Sequence, residues 1–154
     1  MIALKDNNTR GDFAIVDNVI ATDLTLHTPV YISIYGGNTQ ADTPTKRRPA
    51  GVENLDWWGN IYSVQNPENR FNSKFERALN EIPIMSGTLK KFEQAAIEDC
   101  TWLITKKIAK SVDATASIEN AQRLKIEITI EKPEKIEEKY SFIWDATQQY
   151  LQEV

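Results

Sequence analysis

Val112-Asp113-Ala114-Thr115-Ala116-Ser117-Ile118-Glu119, followed after a short turn at Asn120-Ala121-Gln122 by Leu124-Lys125-Ile126-Glu127-Ile128-Thr129-Ile130-Glu131, is the stretch that decides the fold. Apolar and polar residues alternate with a period of two on both sides of the turn, so each segment makes a strand with one apolar face. Paired as a hairpin, the two strands expose an apolar surface that needs cover. The cover lies just upstream. From Thr88 to about Ala109 the period is helical, with Leu89, Phe92, Ala96, Cys100 and Leu103 recurring every three or four residues, flanked by Ile97 and Ile104. Helix stripe against strand face is the packing this predicts. At 100° per residue Trp102 falls nearly opposite the stripe, alongside Ala95, which gives the helix a second contact surface. Either another part of the domain or a partner protein fills it. Cys100 sits on the stripe and reads as a small core residue rather than a nucleophile.

Working downstream, Lys132 to Lys139 is a charged loop containing Pro133, and Tyr140, Phe142 and Trp144 alternate again as a third strand. Tyr150 and Leu151 suggest a small helical tail. Working upstream, Phe71, Phe75 and Leu79 form a helical stripe within Asn69 to Glu81; Ile82-Pro83-Ile84 interrupts it, and Ser86-Gly87-Thr88 restarts the chain with capping residues. Gly11 to Val16 reads as a strand, Asp17-Asn18 as a turn, and Val19-Ile20-Ala21 as its returning partner. In Thr28-Pro29-Val30-Tyr31-Ile32-Ser33-Ile34-Tyr35-Gly36-Gly37 two signals conflict. The β-branched and aromatic content favours a strand. Thr28 as N-cap, Pro29 at the first helical position and Gly36 as stop frame a helix.

Residues 38–50 make a polar, proline-containing loop carrying Lys46, Arg47 and Arg48, which either meet an anionic partner or are simply solvated. Asp56-Trp57-Trp58-Gly59-Asn60 follows. Gly59-Asn60 permits a sharp reversal. The two indoles are either a platform for a sugar or protein, or an anchor for the loop. The fold expected is α+β: a small antiparallel sheet of about three strands covered by a long helix, plus an N-terminal strand and helix arm. Residues 1–68 form the arm with the Trp-Trp-Gly loop, residues 69–154 the helix–helix–hairpin core, in one cooperative domain.

The 154 residues, 41% of them hydrophobic, are enough for a core without staples. One cysteine and one histidine, His27, leave no disulfide, no cysteine zinc site and no scope for a histidine-rich metal centre, and fit a reducing interior. A net charge of −4, from 22 acids and 18 bases, disfavours generic nucleic-acid binding. The start at Met1-Ile2-Ala3-Leu4-Lys5-Asp6 lacks a signal-peptide pattern, and no apolar run has the length of a membrane span. Phosphate-binding, serine-hydrolase and metalloprotease motifs are absent. Acids are numerous enough for a glycosidase-like pair, such as Asp56 with Glu68 beside the tryptophans, but nothing in the sequence singles out two of them. An open sheet edge is the positive feature, either protected by Lys125, Glu127, Glu131 and Lys132 or used to recruit a strand.

The order of features resembles the Mu-type baseplate wedge proteins of contractile phage tails, related to the sheath initiators. The likeness runs from Gly11 to Trp144. It takes in Gly11-Asp12 before an apolar strand, Thr22-Asp23-Leu24 leading to Val30–Tyr35, a basic loop, and Asp56-Trp57-Trp58-Gly59 where the family has Trp-Trp-Gly. It continues with Leu89 to Leu103 ending in Thr101-Trp102-Leu103-Ile104, then Leu124 to Glu131 and Phe142-Ile143-Trp144-Asp145. The resemblance implies a non-catalytic virion protein, assembled in the bacterial cytoplasm and resident in the tail baseplate, without cofactor or metal. It implies a helix at Pro29–Tyr35. Its partners would be other wedge subunits and the first sheath subunit, without nucleic acid or membrane; copy number stays open, six in a tail ring being one option. By that likeness Leu124, Ile126, Ile128, Ile130, Tyr140, Phe142 and Trp144 supply a strand edge, and Asp56, Trp57, Trp58 and Gly59 are the structural signature; attachment to the wedge falls to Trp102 or Lys46-Arg47-Arg48, because the family's own attachment motif is missing. The chain departs from classical sheath initiators at the junction of helix and sheet, where Lys110-Ser111-Val112-Asp113 replaces their Glu-Pro-Arg. Some of the wider group are labelled lysozyme-like, and no acid pair singled out by the sequence supports that label.

Overall fold

A computed structural model describes residues 4–6, 11–13, 15–16, 19–20, 25–37, 72–148 and 150–154. The basic loop, Asp56, Trp57, Trp58, Gly59, Glu68 and Phe71 lie outside them. The chain is α+β. Two small antiparallel pairs come first, β1 (Leu4–Asp6) with β2 (Gly11–Phe13) and β3 (Ile15–Val16) with β4 (Val19–Ile20). The Val16↔Val19 register makes Val19-Ile20 the returning partner of Ile15-Val16; the turn expected at Asp17-Asn18 lies outside the described residues. The single strand expected over Gly11–Val16 instead contributes to two separate pairs.

Helices α1 (His27–Tyr35), α2 (Lys74–Glu81) and α3 (Leu89–Thr105) precede one sheet of β5 (Ser111–Asn120), β6 (Arg123–Glu131), β7 (Glu137–Asp145) and β8 (Tyr150–Glu153). Its order is β5-β6-β7-β8, antiparallel throughout. The alternation legible in the sequence is the register observed. Leu124, Ile126, Ile128 and Ile130 are fully buried, and Tyr140, Phe142 and Trp144 stand beside them on the same face. Phe92, Ala96, Cys100 and Leu103 of α3 complete the core from above. Fully burying one such aliphatic side chain contributes about 1.5–3 kcal/mol, so this face dominates the stability.

Three expectations change. Tyr150–Glu153 is a fourth strand, not a helical tail. So few residues cannot nucleate a helix on their own, whereas the ladder at Phe142–Asp145 offers hydrogen bonds at once and a buried place for Leu151. The helix frame at Thr28–Gly36 holds, but it opens at His27, with Leu26 rather than Thr28 at the N-cap and no side-chain cap. The cap residue is instead tied to the sheet: the Leu26 N–H donates to the Tyr140 hydroxyl at 2.8 Å. Finally, α3 stops at Thr105, before Ala109. Lys107, at φ 59°, turns the chain left-handed, while Lys107 N–H and Ile108 N–H return to the carbonyls of Ile104 and Leu103.

Candidate interaction surface

The residues proposed as a strand-donating edge occupy the middle of the sheet. β6 is paired on both sides, and β7 is paired with β6 along its length and with β8 at Phe142–Asp145. The side chains named on them are at most 7% exposed. They build the chain's own core. An apolar alternating strand reads the same whether central or marginal, so strand order was not in the pattern; among the described residues the edges are β5 and β8.

Trp102 is half-buried, and its indole N–H donates to Ser33 Oγ at 2.9 Å, while Ser33 in turn donates to the Pro29 carbonyl at 2.7 Å. The second surface of α3 is therefore filled within the chain, by α1. On its other side α1 carries His27, Tyr31 and Tyr35, spaced four apart, onto β7: His27 over Tyr140 and Phe142, Tyr31 over Phe142, and Tyr35 over Trp144, with centroids 5.7–6.1 Å apart. His27 Nε2 also lies 3.0 Å from Glu153 Oε2 of β8, though misaligned for a hydrogen bond. At the head of this ladder Tyr140 donates to Glu138, which pairs with Lys132. Burial would raise the Glu138 carboxyl, but the hydrogen bonds from Lys132 and Tyr140 hold it below the usual range; burial, then the bond to Glu138, pushes the Tyr140 phenol up.

A polar hub that sequence reasoning missed joins the three helices. Ser73, fully buried, caps α2 by accepting from Glu76 N–H at 2.9 Å, and its hydroxyl reaches the Ile34 carbonyl at 2.5 Å. Asp99, from the middle of α3, accepts from the Lys74 and Phe75 N–H groups at 2.9 and 2.8 Å and lies 3.1 Å from Ser73 Oγ. Burial pushes Asp99 up to about 7 against those hydrogen bonds. Ser73 has one hydroxyl proton, which is within reach of both the Ile34 carbonyl and the Asp99 carboxyl. The legible signal was Ser73-Lys74-Phe75-Glu76, the serine-to-glutamate spacing of a capping box. In the fold the Glu76 carboxylate accepts from Gly37 N–H at 2.7 Å, tying α2 to the end of α1. Cys100, beside Asp99, is buried and its thiol is pushed up to about 12, which suits the core role expected of it.

At the sheet margins, β8 is four residues long and β5 ten. β5 carries α3 on its core face, where Ala114 and Ala116 keep the helix close. Among the described residues no helix is long and apolar enough to cross a membrane, and no group of three or more His, Cys, Asp or Glu could hold a metal ion. Comparison with protein-family models, curated proteins and solved structures finds no match to this chain.

Proposed function

We propose that the chain is a structural component of a contractile phage tail baseplate, a wedge or sheath-initiator subunit that docks through its helices and recruits a partner strand at an open sheet edge. The observation that supports it best is the ten-residue edge strand β5, backed by a long helix and paired with β6 in unbroken register from Ser111 to Ile118. In such an assembly main-chain hydrogen bonds set geometry and alternate side chains choose the partner. The order of motifs from Gly11 to Trp144 supports the particular machine. The recruiting strand moves from β6 and β7, where the family resemblance put it, to a margin, and the reading carries no catalytic, cofactor or metal role.

Co-expression with the cognate wedge and tail-sheath subunits tests this. A stable complex on affinity purification and size exclusion is expected. No association with either subunit overturns it, as does turnover of purified peptidoglycan that disappears in Asp56→Asn or Glu68→Gln variants.

A further inference from the structure

Glu93 stands on α3, yet its Oε1 accepts from the backbone N–H of Ala116 at 3.0 Å, while Oε2 lies 3.3 Å from Lys90 Nζ. Ala116 is in register with Ile126 but gives its amide to a side chain on α3, so that amide points away from β6. Antiparallel alternation then puts the N–H groups of Val112, Ala114 and Ile118 on the same outer edge. A carboxylate oxygen on an edge amide stands where the carbonyl of an added strand would stand.

The surface around this edge is two-sided. On the solvated face Asp113, Thr115 and Ser117 are exposed, Glu119 is exposed at the register break that follows Ile118, and Ser111–Asn120 contains no basic residue. On the helix face the apolar stripe runs out at Ile118, which is left 38% exposed. The β8 edge differs: it is short, and its Glu153 already faces His27.

We propose that the outer edge of β5 is a docking site for an extended basic strand of a partner chain, with Glu93 holding the place of the partner's carbonyl until that strand arrives. Resting on the assembly reading above, this narrows it to one edge and one partner chemistry. The incoming strand carries Lys or Arg on the face that meets Asp113 and Glu119, and small apolar residues on the face that covers Ile118.

The probes are two capped heptapeptides, one alternating lysine with valine, the other glutamate with valine, measured by fluorescence anisotropy and by amide chemical shifts of the intact protein. The lysine peptide is expected to bind and to move the amides of Val112, Ala114, Ala116 and Ile118; the glutamate peptide is not. Glu93→Ala frees the Ala116 amide and is expected to tighten lysine-peptide binding roughly fivefold, about the effect of one hydrogen bond. Ala114→Pro deletes an outward amide while sparing the β5–β6 ladder, and is expected to weaken binding at least about tenfold. Should that proline unfold the chain, the double variant Asp113→Lys, Glu119→Lys, at two exposed positions, decides the matter: it is expected to reverse the peptide preference. Equal binding of both peptides, shifts confined to Tyr150–Glu153, or an unchanged preference in the double variant overturns the proposal. Failure here and failure of the assembly reading are distinct: a folded Ala114→Pro variant that still joins the sheath complex removes the β5 edge alone, whereas a wild-type chain that joins no tail subunit removes the assembly reading.

Discussion

The two halves of the sheet are roofed in opposite ways. Over β5 the strand contributes small residues, Ala114 and Ala116, and the helix contributes bulk, Phe92 and Leu103. Over β7 the strand contributes Tyr140, Phe142 and Trp144, and α1 answers with His27, Tyr31 and Tyr35. Small-on-large lets α3 sit near enough for Glu93 to reach over the margin of β5. Aromatic-on-aromatic holds α1 farther out and uses polar tips, the Tyr140 hydroxyl and Glu153, to fix it. The same antiparallel ladder thus carries one half suited to presenting an edge and one suited to anchoring a helix.

The largest blow to this contrast is Phe142→Ala. The ring is fully buried between β7 and α1, and its loss is expected to destabilise by about 3–5 kcal/mol, read as a lower urea midpoint with an unchanged denaturant slope. Next comes the coupling between the halves, through the Asp99 hub under α1, α2 and α3. Its folded value of about 7 lies above the ordinary 3.8, so the folded state binds the extra proton, and this group's contribution to stability grows as pH falls from about 7 toward 4. Between pH 7 and pH 5 the gain is on the order of 2–3 kcal/mol, and Asp99→Asn should flatten that slope in melts across the same range. Glu98 and Glu138, held low by their partners, act in the reverse direction, losing stability only below about pH 4.5.

Overfilling the close half sharpens the contrast from the other side. Ala116→Leu should destabilise by about 1–3 kcal/mol because it overfills a buried position between β5 and α3, whereas the same change at exposed Thr115 should be nearly neutral. Tyr140→Phe leaves the aromatic stack but removes the hydroxyl that serves Leu26 and Glu138, for about 1–2 kcal/mol, with faster hydrogen exchange at the start of α1. The smallest effect is a gain. Lys135, in the β6–β7 turn, has φ 62°, and Lys135→Gly should raise stability by roughly 0.5–1 kcal/mol in thermal melts.

What the sequence by itself determined was everything that follows from periodicity on a single element. The faces of β5, β6 and β7 and the core stripe of α3 each bury one side and wet the other, and a one-residue slip in register would have turned the isoleucines of β6 to solvent. α1 was harder for a physical reason: none of its residues is exposed, because α3 and β7 cover it from two directions, so no apolar–polar period exists to read. Strand order, the fourth strand at Tyr150–Glu153, the placing of Asp99 at the α2 N-terminus and the reach of Glu93 to Ala116 were decided only in three dimensions. The two acids depend on partners 25 and 23 residues away, and the strands on which of several similar segments is left at the margin. Local sequence sets which face of an element is apolar; the packing of distant elements decides which edge stays open and which acid is drawn inside.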